Sequence, residues 1–219
     1  MDGPDESFDF FKARLKSEME ENKKLNGLQH RGAFVSDTFL KDLITKENLK
    51  EHAESKHAND PLNLNKKNLN YESRSQLLDL ICSSSRKLFA ILILVDQPWH
   101  ITELLLAKEK VDDDALFGPK PDGRTYAALK DFRAIPQLSS IAEQCFTKQW
   151  HFPPVLSSDE IQSFPPTLFQ FPFVAPAEKI AHGGFGIVMR AKIASGYLNY
   201  PEGMTPVGIL AKGVAYMND

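Results

Sequence analysis

Residues 180–188 read Ile-Ala-His-Gly-Gly-Phe-Gly-Ile-Val. Glycine has no Cβ, so several backbone N–H groups in such a run can approach an anion together and point inward. The chemistry this suggests is the cradling of a phosphate. Two frames hold loops of this kind: a strand followed by a helix, or a hairpin of two strands. His182 sits inside the run, either as a phosphate contact or as a solvent-facing loop tip.

Other chemistry-bearing residues are spaced less favourably. His52 and His57 are five apart and fall on different faces of a helix, which disfavours a shared metal. Asp112, Asp113 and Asp114 are consecutive and do not converge easily on a cation, so they read as a solvated loop or a helix cap. Cys82 and Cys145 are the only cysteines, and make neither a disulfide framework nor a Cys-rich zinc site. Both read as small core residues. Burial opposes phosphorylation of Ser83–Ser85, although Arg86 and Lys87 follow. No Ser-His-Asp or Cys-His set has supporting context.

Residues 180–193 (IAHGGFGIVMRAKI) resemble the Gly-rich loop of eukaryotic protein kinases, G-x-G-x-[FY]-G-x-V. Gly183, Gly184, Phe185, Gly186 and Val188 stand in register with that pattern. Ala181 takes the place of its first glycine and opens the loop. The resemblance implies that Ile180 and Val188 sandwich an adenine and that the amides of Gly184, Phe185 and Gly186 reach the phosphates of ATP. Magnesium would enter only with the ATP. Residues 189–193 would form the returning strand and 207–214 (VGILAKGV) a third strand. Lys212 would then match the lysine that pairs the α- and β-phosphates. If Gly208 is instead the small residue before that lysine, Leu210 takes the lysine's place. A Rossmann-type start is disfavoured, because Pro172 and Pro176 interrupt the strand that should precede the glycines.

The sequence contains no H-R-D catalytic loop and no D-F-G metal motif. Phosphoryl transfer depends on those acids and the magnesium they hold. The resemblance therefore implies a truncated member of the kinase family, or a fragment of one, that is not catalytically competent alone. Its full-length relative would be a Ser/Thr-type protein kinase. The preceding helical region resembles the N-terminal extensions of some fungal kinase-like proteins.

The elements that must position these residues fall into four regions. Residues 1–71 are charge-rich and then Asn-rich. Phe8, Phe11, Leu15 and Met19 share one helical face there, with Asp5 or Ser7 as a cap. Phe39, Leu40, Leu43 and Ile44 form a second stripe behind Ser36. Residues 59–70 read as a linker. Residues 72–150 form a helical bundle. In it Leu77, Ile81, Leu88, Leu92 and Val95 share a stripe, and Ile91 and Leu94 make its end apolar on nearly all sides. Pro98 stops or restarts the chain, and 100–108 and 138–150 are further helices around a loop at 112–123. Residues 151–178 are a Pro/Phe-rich connector, since Pro153, Pro154, Pro165, Pro166, Pro172 and Pro176 exclude helix. Its Pro-Pro pairs suit a polyproline ligand less well than a rigid packed connector. Residues 179–219 are the partial kinase-like lobe of three strands. The predicted class is α+β, a helical bundle followed by the connector and a small antiparallel β piece.

Composition narrows the function further. The chain of 219 residues carries a formal net charge of −3, so there is no broad basic field for nucleic acid. The most apolar run, Leu88–Val95, spans roughly 12 Å as a helix against about 30 Å of bilayer core, so no membrane span is expected. No secretory signal is visible in the acidic start, and an intracellular, cytoplasmic setting is expected. The alternative to the nucleotide reading is a helical protein–protein interaction module, with the bundle docking a partner protein. Its oligomeric state is not set by the sequence.

Overall fold

Phe8, Phe11 and Leu15 are buried and Met19 partly so, because α1 (Asp9–Asn26) turns that stripe inward. The computed structural model describes residues 8–26, 33–53, 62, 71–118, 120, 124–153, 156–157, 172, 178–183, 186–190, 193, 197–199 and 210–211. Asp5, Ser7 and nearly all of the 59–70 linker lie outside these residues.

Ser36 caps α2 (Asp37–Leu43), its Oγ accepting the Phe39 amide at 3.1 Å, and Leu40, Leu43 and Ile44 are buried behind it. Thr45 does the same for α3 (Lys46–Ala53), accepting the Asn48 amide at 3.2 Å. Such caps satisfy amides that have no partner within the first helical turn.

The long apolar stripe runs through two helices, α4 (Tyr71–Ser84) and α5 (Arg86–Leu94), broken at buried Ser85. Every residue from Leu88 to Leu94 is buried, so α5 is the central element. It packs against α1, α2 and α4. The rings of Phe8 and Phe11 meet Phe89 edge-on at 5.9 and 6.3 Å. Such aromatic pairs add to the burial energy of the rings themselves. The end of α5 is closed by the Gln97 amide on the Leu92 carbonyl at 2.8 Å and the Asp96 amide on Ile93 at 3.1 Å. Asp96 is left-handed there, with φ 59°. Pro98 follows, as expected after a helix that stops this way.

Beyond it, α6 (His100–Leu105) buries Thr102, whose hydroxyl donates to the Leu62 carbonyl at 2.6 Å. The stretch read as loop at 112–123 contains a helical turn, α7 (Asp113–Phe117), with Asp112 as its cap. Gly118 follows α7 as its C-cap, where a Cβ would collide with the Asp114 carbonyl. Next come α8 (Leu129–Ala134) and α9 (Ala142–Lys148), the latter flanked by 3₁₀ turns at Ser139–Ile141 and Gln149–His151. Thus the predicted helix at 138–150 is built from three short pieces. Buried Gln149 clamps Ala127, its Nε2 donating to the carbonyl at 2.8 Å and its Oε1 accepting the amide at 3.2 Å.

Among the described residues the extended ones are few. β1 (Leu156–Ser157) pairs in parallel with β4 (Leu198–Asn199). β2 (Glu178–Gly183) and β3 (Gly186–Arg190) run antiparallel, with β5 (Leu210–Ala211) beside β3. This corrects the α+β expectation: the described residues are predominantly helical, and the extended ones among them make short ribbons rather than a β layer. The physical reason lies in the core. Among the residues whose burial is described, the buried cluster runs from Phe8 to Phe152, all from the helical part of the chain and its turns. Most of the Pro/Phe connector, including Pro154, Pro165 and Pro166, lies outside the described residues. Among the described residues, no helix is long and apolar enough to cross a membrane.

Candidate functional site

The glycine run begins in β2 and continues into β3. Across the ribbon, Glu178 faces Arg190 and Lys179 faces Met189. Then Ala181 faces Val188, His182 faces Ile187 and Gly183 faces Gly186. The register shifts between Lys179 and Ala181, so Ile180 is the extra residue of a bulge. Ile180 is 41% exposed. Val188 thus stands opposite Ala181 rather than Ile180, and any purine contact shared by Ile180 and Val188 must reach across the bulge.

Gly183 and Gly186 form the innermost rung, and only Gly184 and Phe185 lie between them. Those two residues are outside the described ones, as is Lys212. β5 sets Ala211 opposite Met189 and Leu210 opposite Arg190. The structure therefore brings together the backbones of Ala181, Gly183, Gly186 and Val188. It leaves the predicted phosphate contacts at 184–185 and the predicted lysine undescribed.

A second polar cluster, missed from the sequence, lies at the start of α5. Ser85 makes no side-chain cap. The carboxylate of Asp113 serves instead, accepting the Lys87 amide at 2.9 Å and the Leu88 amide at 2.7 Å. Burial pushes the Asp113 carboxyl up to about 6, against the pull of those two amides and of Lys87. Burial also lowers Lys87, opposed by Asp113, while its ammonium lies 5.1 Å from the Phe117 ring centroid. At Asp112 burial acts upward, but hydrogen bonds from Lys110 and the Ala115 amide outweigh it and the carboxyl is lowered. The aspartate run is thus two caps, Asp112 for α7 and Asp113 for α5. A sequence shows the acids but not which helix end, some 25 residues away, receives them.

The remaining candidates do not assemble into chemistry. Burial pushes the Cys145 thiol up to about 12 and raises Cys82 as well, the opposite of an activated thiolate. Burial lowers His151, whose Nδ1 lies 2.7 Å from the Ala33 carbonyl. Among the described residues, no group of three His, Cys, Asp or Glu side chains is placed to hold a metal. His57 lies outside them. A groove of about 330 Å³ runs between the end of α5 and α9, lined in part by Leu94, Asp96, Glu143 and Lys148. None of the predicted site residues lines it. No protein-family model, curated protein or solved structure matches this chain.

Proposed function

We propose that the chain carries a nucleotide-phosphate loop of protein-kinase type on a helical body. ATP is the ligand, magnesium arrives with it, and the described residues perform no phosphoryl transfer. The single observation behind this reading is the rung between Gly183 and Gly186, with Gly184 and Phe185 between them. Two glycines facing each other at the end of a ribbon leave its backbone free of Cβ atoms on both sides. A triphosphate can then approach the amides closely, which a side chain at either position would obstruct. Ile180, exposed at the bulge, and Val188 are the apolar groups for the purine, with Ala181 beside them. Lys212, next in sequence to paired Ala211, is the phosphate anchor. Such a protein works where ATP is abundant, inside the cell and in its cytoplasm.

Equilibrium dialysis against magnesium ATP tests this with the whole chain and with Gly184→Val. Saturable binding by the wild type, lost in the variant while the helical circular dichroism is unchanged, is the expected result. Absence of binding at millimolar nucleotide overturns the reading and leaves a helical protein–protein interaction module.

A further inference from the structure

Tyr197 belongs to the connection between β3 and β5, yet it is seated on the helical body. It is 4% exposed. Its hydroxyl donates to the Val35 carbonyl at 3.0 Å, and its ring meets Phe34 edge-on at 6.0 Å. The seat is itself tied down from two sides. Asn22 of α1 donates to the Phe34 carbonyl at 2.9 Å, and the Val35 amide donates to the His151 carbonyl at 2.7 Å. Immediately after Tyr197, Leu198 and Asn199 pair with Leu156 and Ser157.

We infer that Tyr197 is a latch joining the glycine ribbon to the helical body through the seat of Phe34 and Val35. β3 and β5 are neighbours in the ribbon, and among the described residues of the chain between them Tyr197 is the one buried against the body. Burial raises the Tyr197 phenol, so it stays protonated and keeps its donor. A seat of the edge-on Phe34 ring, the Val35 carbonyl and the Asp37 amide fits an aromatic residue with a para hydroxyl and is only half satisfied by phenylalanine. The core around α5 shares Val35 with the seat but contains neither Phe34 nor Tyr197, so withdrawing the latch frees the ribbon while that core stays closed. The inference goes beyond the nucleotide reading, and its test contains no nucleotide, so each can fail without the other.

Hydrogen exchange read by mass spectrometry on the full chain tests it, comparing wild type with Tyr197→Phe and Tyr197→Ala. In Tyr197→Phe the expected result is exchange about tenfold or more faster in peptides covering 33–37 and 186–190, from the loss of the hydroxyl's buried hydrogen bonds. Tyr197→Ala should show a larger acceleration in the same two peptides. Peptides from α5 should exchange at the wild-type rate in Tyr197→Phe. Unchanged exchange at 186–190 in both variants overturns the latch. Equal acceleration in α5 and the ribbon for Tyr197→Phe also overturns it, since Tyr197 would then be an ordinary part of the cooperative core.

Discussion

The carboxylate of Asp113 accepts the backbone amide of Leu88 at 2.7 Å, across 25 residues of sequence. It supplies from α7 the cap that Ser85, at the head of α5, does not make. Because α5 is the central helix of the core, the condition of this carboxyl bears on the whole fold.

That relationship sets a pH dependence. The folded carboxyl is raised by burial to about 6 from its ordinary value of 3.8. Between those values the folded chain holds a proton that the unfolded chain has released. The stability from this group is therefore complete only well below the unfolded value of 3.8 and is lost as pH rises through about 6. The shift corresponds to about 3 kcal/mol. Urea unfolding at pH 4 and pH 7 measures it. The fall in stability between the two pH values should be about 2 kcal/mol smaller in Asp113→Asn than in wild type, since part of the effect lies below pH 4. Parallel curves for the two proteins would show that burial does not govern this carboxyl.

Asp96 offers a stabilising change. It holds φ 59° at the end of α5, a conformation that costs residues with a Cβ about 1 kcal/mol or more. Its ion pair with Lys12 is largely exposed on the Asp96 side and contributes little. Asp96→Gly should therefore raise the unfolding free energy by about 0.5 to 1 kcal/mol. Asp96→Val should lower it. Denaturant midpoints of the two variants against wild type decide the matter.

Gln149 offers the opposite case. Its amide satisfies both the amide and the carbonyl of buried Ala127. Gln149→Leu keeps the bulk but leaves both backbone groups unpaired, at a cost of about 2 to 4 kcal/mol. Gln149→Glu retains the acceptor but not the donor and adds a buried charge at neutral pH. Its stability should recover as the carboxyl is protonated in acid. Chemical unfolding at pH 4 and pH 7 reads both effects.

Much of the helical body was legible in the residues themselves. The stripes Phe8–Phe11–Leu15 and Leu77–Ile81–Leu88–Leu92 are buried because helical spacing places them on one face. Ser36 caps α2 because a hydroxyl behind an apolar stripe has amides within reach. What escaped were features set by tertiary partners. The break at Ser85 interrupts a stripe whose spacing is uniform across it. The Asp113 cap joins residues far apart in sequence. α7 is too short to show a period. In the ribbon, alternation does not reveal an inserted residue, so the bulge at Ile180 and the pairing of Val188 with Ala181 could not be read. The α+β expectation failed because β-branched residues mark extended chain but not whether a core depends on it.

The central claim is that the turn between Gly183 and Gly186 receives the phosphates of ATP. Nuclear magnetic resonance of the ¹⁵N-labelled full chain, titrated with magnesium ATP, tests it at the residues concerned. The account predicts saturable shifts at the amides of residues 183–186, with the amides of α5 unmoved. Amides at the glycine turn that stay in place at millimolar nucleotide would contradict it.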